Sequence, residues 1–220
     1  MVNPDDAAAI WIPVVFIFLG WLLGMLGPII VDSIKKRYRN VEVRKTVLAE
    51  LSGARFRLVA TTYALDSRYV GFDRALVEWA IPYLKSYKGP GQSEKLVASL
   101  QKQLLMTDDQ FKLVATHRMA EDGGASAVKK FKIPYIESKL TDLGIFDEET
   151  QLAILEIRNH AEIYNEHVDE HKFYFNLTFS NVSEENYAIA SKGVSNCYGH
   201  LSARARIIIG RIDNLVPTER

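Results

Sequence analysis

Cysteine is almost absent from this chain. Its one thiol, Cys197, rules out an intrachain disulfide, and with it the small disulfide-stapled secreted scaffolds. The usage fits a reducing compartment. Cys197 is also the one candidate thiol nucleophile, but it falls on an apolar helical stripe and reads as a small core residue. An excess of either charge sign is missing too, with 27 basic and 27 acidic residues. All the basic residues follow Val31, and only Asp5 and Asp6 of the acidic ones precede it. The chain after Val31 is therefore close to neutral, without the strongly basic balance of a general nucleic-acid binder, so no nucleic-acid partner is expected. A phosphate-cradling loop is lacking: Gly123-Gly124 has neither a Walker lysine nor a preceding strand pattern. No internal repeat or low-complexity tract is present.

The most informative absence is local. From Ala7 to Val31 the chain has no charged residue, and all 25 residues are apolar, Gly or Pro. A helix rises about 1.5 Å per residue and a bilayer core is about 30 Å thick, so roughly 20 such residues suffice to cross it. The stretch reads as a transmembrane helix. A cleaved signal peptide would have a basic start and a shorter apolar run; here Asp5 and Asp6 precede the run, and Lys35, Lys36, Arg37 and Arg39 follow it. The positive-inside rule then places the N-terminus outside and the C-terminal domain in the cytoplasm, in a single pass. Trp11 and Tyr38 suit the two interfaces, whereas Trp21 lies mid-span. Pro13 is tolerable in a first helical turn, and Pro28 removes a bond to the Gly24 carbonyl. Residues 1–33 thus form the tail and anchor, and residues 34–220 the cytoplasmic domain.

Two features of the anchor point to contacts. Gly20 and Gly24 form a GxxxG, extended by Gly27, a small-residue face that lets a second helix approach closely. Homo-oligomerisation through this face is one expectation; the other reading is that glycine is simply common in membrane helices. The basic group Lys35, Lys36, Arg37 and Arg39 suffices as a topology signal, and it also suits anionic lipid headgroups.

The remaining chain reads as all-α. Val47, Leu51, Ala54, Leu58, Thr61 and Leu65 recur at spacings of three and four, the stripe of an amphipathic helix over roughly 35–69. The polar residues Arg44, Glu50, Arg55 and Arg57 fall off that stripe. Nothing between Val31 and Val47 breaks the pattern, so a continuous helix from the anchor is expected. Gly71 ends it. A helix from Phe72 to Tyr87 carries Leu76, Trp79, Ala80 and Leu84, with Pro82 bending or interrupting it. Lys88-Gly-Pro-Gly-Gln92 is a loop, and Ser93 opens a helix to Met106. Thr107-Asp-Asp-Gln110 is a capping box for a helix to about Ala120. Val128 to Ile133 fits either a short strand or a loop. Pro134 starts a short helix stopped by Gly144. Asp147 caps a long helix from Glu148, with Leu152, Leu155 and Ile163 as its apolar side. Phe173–Phe179 also fits a strand, but with no partner strand a helix to about Leu177 is preferred. Ser183 starts the last helix, to about Leu215, with its stripe through Tyr187, Ala190, Val194, Cys197, Leu201, Ala205, Ile208, Ile212 and Leu215. These elements predict a bundle with three long helices (35–69, 148–177, 184–215) and a side layer of shorter ones, with coiled-coil-like packing.

One stretch spells chemistry. His167-Val-Asp-Glu-His171 puts two histidines four apart on one helical face, as metal ligands stand, and H-x-x-E-H matches an inverzincin spelling. His160 and Tyr164 extend the face. The plainer reading is a polar helix face on which histidines align, since no third ligand is evident and His117 and His200 have no constellation around them. No cofactor is expected on that reading. Asn176-Leu-Thr178 and Asn181-Val-Ser183 match glycosylation sequons that a cytoplasmic domain would not use. Arg204, Arg206 and Arg211 read as an ion-paired or solvated face.

The expectation is therefore a membrane-anchored, non-enzymatic helical interaction module, a scaffold or complex subunit whose contacts are lipid and a protein partner. One alternative is a signalling or membrane-effector protein whose bundle senses a ligand or partner. A remoter one is a metal-dependent hydrolase using His167 and His171.

Overall fold

The structure, a computed structural model, describes residues 4–89, 93–118 and 127–216, with only the backbone for residues 4–14 and 93. The interface role of Trp11, the local effect of Pro13, the Ser93 cap, the loop residues Pro90 to Gln92, the Gly123-Gly124 pair and Pro217 lie outside the described residues or side chains. Among the described residues every regular element is helical and no strand is present. They are α1 (Pro4–Leu65), a π-helical turn (Asp66–Val70), α2 (Arg74–Ser86), α3 (Ser93–Leu104), α4 (Asp108–Arg118), α5 (Pro134–Ser138), a 3-10 segment (Leu140–Ile145), α6 (Glu148–Leu177) and α7 (Glu184–Leu215).

The chain forms two compact units, Met1–Lys45 and Thr46–Arg220. The first is the N-terminal part of α1, long and apolar enough to cross a membrane, with none of its apolar window buried. Phe16, Ile17, Phe18, Trp21 and Leu23 are all more than half exposed.

The second unit has the core. The α1 stripe closes as the spacing predicts at Val47, Leu51 and Ala54, which are fully buried, and at Leu58 and Leu65, whereas Thr61 is only half-buried. The helix then widens into the π turn, where Gly71 N–H donates to the Asp66 carbonyl at 2.8 Å. Local side-chain chemistry sets the other boundaries. Asp73 caps α2 by accepting from Leu76 N–H at 2.7 Å. Thr107 and Gln110 form the expected reciprocal capping box. Asp147 accepts from Thr150 N–H at 2.9 Å and opens α6, and Ser183 opens α7. Pro82 lies inside α2 without ending it. The short helix after Pro134 gives way to a 3-10 segment running through Gly144 to Ile145, so that glycine is no stop signal.

The ambiguous 128–133 stretch is irregular, and its lack of a partner strand has a specific remedy. The Asn165 side chain on α6 accepts from Phe131 N–H at 2.7 Å and donates to the Phe131 carbonyl at 2.9 Å. One amide thus replaces a ladder neighbour, satisfying the backbone groups that burial would otherwise strand.

α6 and α7 pack side by side, and their cross-contacts fix an antiparallel register. Glu156 meets Arg211 at 3.0 Å, His160 meets Arg204 at 2.9 Å, and the His167 and His200 rings lie 5.3 Å apart. Farther along, His171 faces Tyr198 at 4.9 Å and Tyr174 lies against Gly193. The α7 stripe is buried from Ala190 to Ile212, although Tyr187 at its start is exposed. The α6 stripe differs from expectation. Leu152 and Leu155 are exposed, and the buried set is Ile154, Ile157, Ala161, Tyr164, Val168 and His171. This second phase keeps alternating spacings of three and four from Ile154 to His171, and long-range packing selects it over the shorter run.

Close approach of the two helices depends on Gly193. A Cβ there would lie 2.6 Å from Cγ of the Tyr174 ring, whereas one at Gly199 would meet nothing within 4 Å. Gly193→Val is therefore expected to destabilise the domain by about 1–3 kcal/mol through overpacking. Gly199→Ala is expected to stabilise it by about 0.5–1 kcal/mol through helix propensity. Urea titration of each variant reads both signs, and equal effects would refute the packing account.

Candidate functional site

Three places have features beyond core packing. The first is the N-terminal apolar helix. The positions of Gly20, Gly24 and Gly27 are open, with nothing within 4 Å of an added Cβ. Lys35, Lys36, Arg37 and Arg39 are all exposed. Trp21 and Tyr38 are exposed as well.

The second is a groove of about 570 Å³ lined by α1 and the irregular stretch, with Phe56, Arg57, Lys129, Lys130, Phe131 and Lys132 among its walls. Arg57 donates to the Lys132 carbonyl at 3.1 Å, and Lys130 pairs with Asp169 at 2.6 Å. Tyr164 forms part of the floor, and burial pushes its hydroxyl up to about 12. Sequence reading missed this groove, because its cationic residues come from segments far apart in the chain.

The third is the polar inclusion in the α6–α7 seam, where the histidine face expected from sequence is divided. Positions four apart differ by about 40° around a helix. At the edge of a packed seam that rotation separates rim from core. His171 falls in the core, 1% exposed, with neither ring nitrogen hydrogen-bonded. Its neighbours are aromatic: Tyr198 on α7 and Phe175 one turn on. Tyr198 in turn stacks on Tyr69 at 3.9 Å. His160 bonds Arg204. His167 remains on the rim, its Nδ1 3.5 Å from Glu170. There it meets His200, and potential ligand atoms of His167, Glu170 and His200 all lie within 4.8 Å of one another. The sequence spelling pairs His167 with His171; the fold pairs it with His200. The signal in sequence was partial: His200 precedes Leu201 of the expected α7 stripe, but Val168, which follows His167, joins the buried α6 stripe only through packing.

Burial lowers the His171 pKa below 6.5. His160 is lowered too, by burial first and then by the Arg204 and Arg211 charges. Both rings are thus held neutral in the folded state, and the unfolded chain binds more protons. Stability from these groups is complete above 6.5 and is lost as pH falls below it toward the folded values. His171→Leu should flatten part of this acid slope. It should also be neutral or stabilising at pH 8, since an unsatisfied buried polar group costs about 1–3 kcal/mol. Denaturant midpoints of both proteins from pH 8 to about 5 check this; a steeper slope in the variant would contradict it. Cys197, beside this seam, has its thiol pushed up to about 11 by burial and by the Glu170 charge, which disfavours a nucleophilic thiolate.

The three α7 arginines have partners within the domain: Arg204 with His160, Arg206 with Asp66 at 2.6 Å, and Arg211 with Glu156. No protein-family model, no curated protein and no solved structure matches this chain.

Proposed function

We propose that this protein is a membrane-anchored helical interaction module, a non-enzymatic scaffold or subunit of a membrane-associated complex. In this reading residues 34–220 form a cytoplasmic bundle with α6, α7 and the second half of α1 as its spine. The observation that carries the proposal is the exposed apolar helix. A run of more than 18 residues with none of its apolar window buried requires a cover, and a bilayer supplies one of the right thickness. The basic flank after Val31 supports an inward orientation and contact with anionic lipid. The open glycines support helix–helix contact. The exposed Phe173 near the end of α6 and Phe179 in the turn after it supply apolar surface for a protein partner.

The sensing alternative is favoured by one observation, the basic and aromatic groove beside α1. Its size lies within the usual range of small-ligand sites, about 300–1,000 Å³.

The test is extraction followed by partner analysis. Washing native membranes with alkaline carbonate should leave the chain in the pellet, and mild detergent should release it with a stoichiometric partner or as an oligomer. Gly20→Leu with Gly24→Leu should shrink that assembly. Release by carbonate alone would overturn the anchor, and a detergent-extracted monomer without a partner would overturn the scaffold reading.

A further inference from the structure

We infer that His167, Glu170 and His200 bind one divalent transition-metal ion of the zinc class at the edge of the α6–α7 seam. This site is independent of the membrane reading.

The donors have the right chemistry. Two imidazoles and one carboxylate form a familiar three-ligand set for zinc, leaving further positions for water. Imidazole favours zinc, copper, iron and nickel over magnesium and calcium, which prefer oxygen shells.

The placement is built by the fold. His167 and Glu170 stand three apart on α6 and therefore share one face. Their side chains meet at 3.5 Å, the outer limit of hydrogen bonding. Among the described residues Glu170 has no lysine or arginine ion-pair partner. Arg204, one turn beyond His200 on α7, is bonded to His160 at 2.9 Å. His200 arrives from α7, its ring centroid 5.3 Å from that of His167 with the planes inclined at 47°.

The backbones beneath are locked. Val168 and Leu201, each adjacent to a ligand histidine, are fully buried. The ligands thus stand on rigid helices, while their own ends keep solvent access. In a tetrahedral site with bonds of about 2.0–2.1 Å, ligand atoms lie about 3.3 Å apart. The metal-free spread of up to 4.8 Å closes by small side-chain rotations, without moving either helix. An ion there ties α6 to α7 across their polar edge, beside the buried pair His171 and Tyr198.

The experiment uses the full chain in detergent, carrying an affinity tag without histidine and stripped with a chelator. Zinc alone is titrated by calorimetry, and metal content is measured after gel filtration. The expected result is one zinc per chain and a raised Tm, since a ligand that binds only the folded state stabilises it. His167→Ala, His200→Ala and Glu170→Gln should each weaken binding by at least the about tenfold to hundredfold typical of lost outer-shell partners. They should also remove the Tm gain. His117→Ala, an exposed histidine on α4, should bind as the parent does. Circular dichroism of the metal-free variants verifies their fold. Should one fail to fold, cobalt substitution of the parent decides: visible d–d bands support the site and their absence overturns it. No retained zinc, parent-like binding in the histidine variants, or an equal Tm gain from magnesium would each overturn the proposal.

Discussion

Asp213→Ala should destabilise the helical domain by about 2–4 kcal/mol, and by roughly 4–16 °C in Tm. Arg55 lies on α1 with only 4% of its surface exposed. Its guanidinium donates to Asp213 at 2.9 Å and to the Val216 carbonyl. The other Asp213 oxygen accepts from the Tyr83 hydroxyl at 2.7 Å. One carboxylate on α7 therefore joins α1 and α2. Deleting it takes the countercharge from a buried cation, which keeps only the neutral Val216 carbonyl, and removes one acceptor from the Tyr83 hydroxyl; removing one partner of a buried pair costs about 3–5 kcal/mol. The Asp213 side chain keeps 27% exposure, so water replaces part of the loss and the expected value falls below that range. Arg55→Met with Asp213→Leu should recover much of the stability, because an apolar pair leaves no orphaned charge. Thermal unfolding of the single and double variants measures this coupling. A single variant within about 0.5 kcal/mol of the parent would show that the pair does not hold the helices.

Phe18→Arg combined with Leu23→Arg should abolish membrane retention. Both side chains are more than half exposed on the apolar helix. An arginine near the centre of a spanning helix costs about 2.5–3.5 kcal/mol for insertion, so two cost about 5–7 kcal/mol. The variant should leave the membrane pellet, while the helical signal of residues 46–220 persists. If it remains carbonate-resistant, the apolar helix is not what holds the protein to the membrane. Serine in place of each arginine is the milder control, lacking the charge.

Local chemistry was legible from the sequence wherever one residue or one helical period decided the outcome. The starts of α6 and α7 followed from the caps Asp147 and Ser183, and the length of α7 from its stripe. The capping box at Thr107 needed only four adjacent residues. The same reasoning failed where partners came from afar. By spacing Arg55 belongs to the polar side of its helix, yet it is buried because Asp213 and Tyr83 meet it there. Glu50 belongs to that side too; its carboxylate accepts from the backbone N–H groups of Tyr135 and Ile136, at 2.9 and 2.8 Å, and holds the start of α5. Neither role has a signature within its own helix, since the partners lie on other elements, Asp213 158 residues from Arg55 and Tyr135 85 residues from Glu50.

The sequence alone determined that a charge-free run of 25 residues leads a chain whose described regular elements are all helical. Period and polarity are local properties, and hydrophobicity depends on composition rather than on neighbours. Tertiary structure alone decided which histidines meet. In sequence His167 belongs with His171, because the two share a face four residues apart. Packing α6 against α7 turns that face into an edge and an interior, burying His171 against Tyr198 and leaving His167 beside His200. The register between two antiparallel helices, set by Gly193 beneath Tyr174 and by apolar stripes on both, makes that choice.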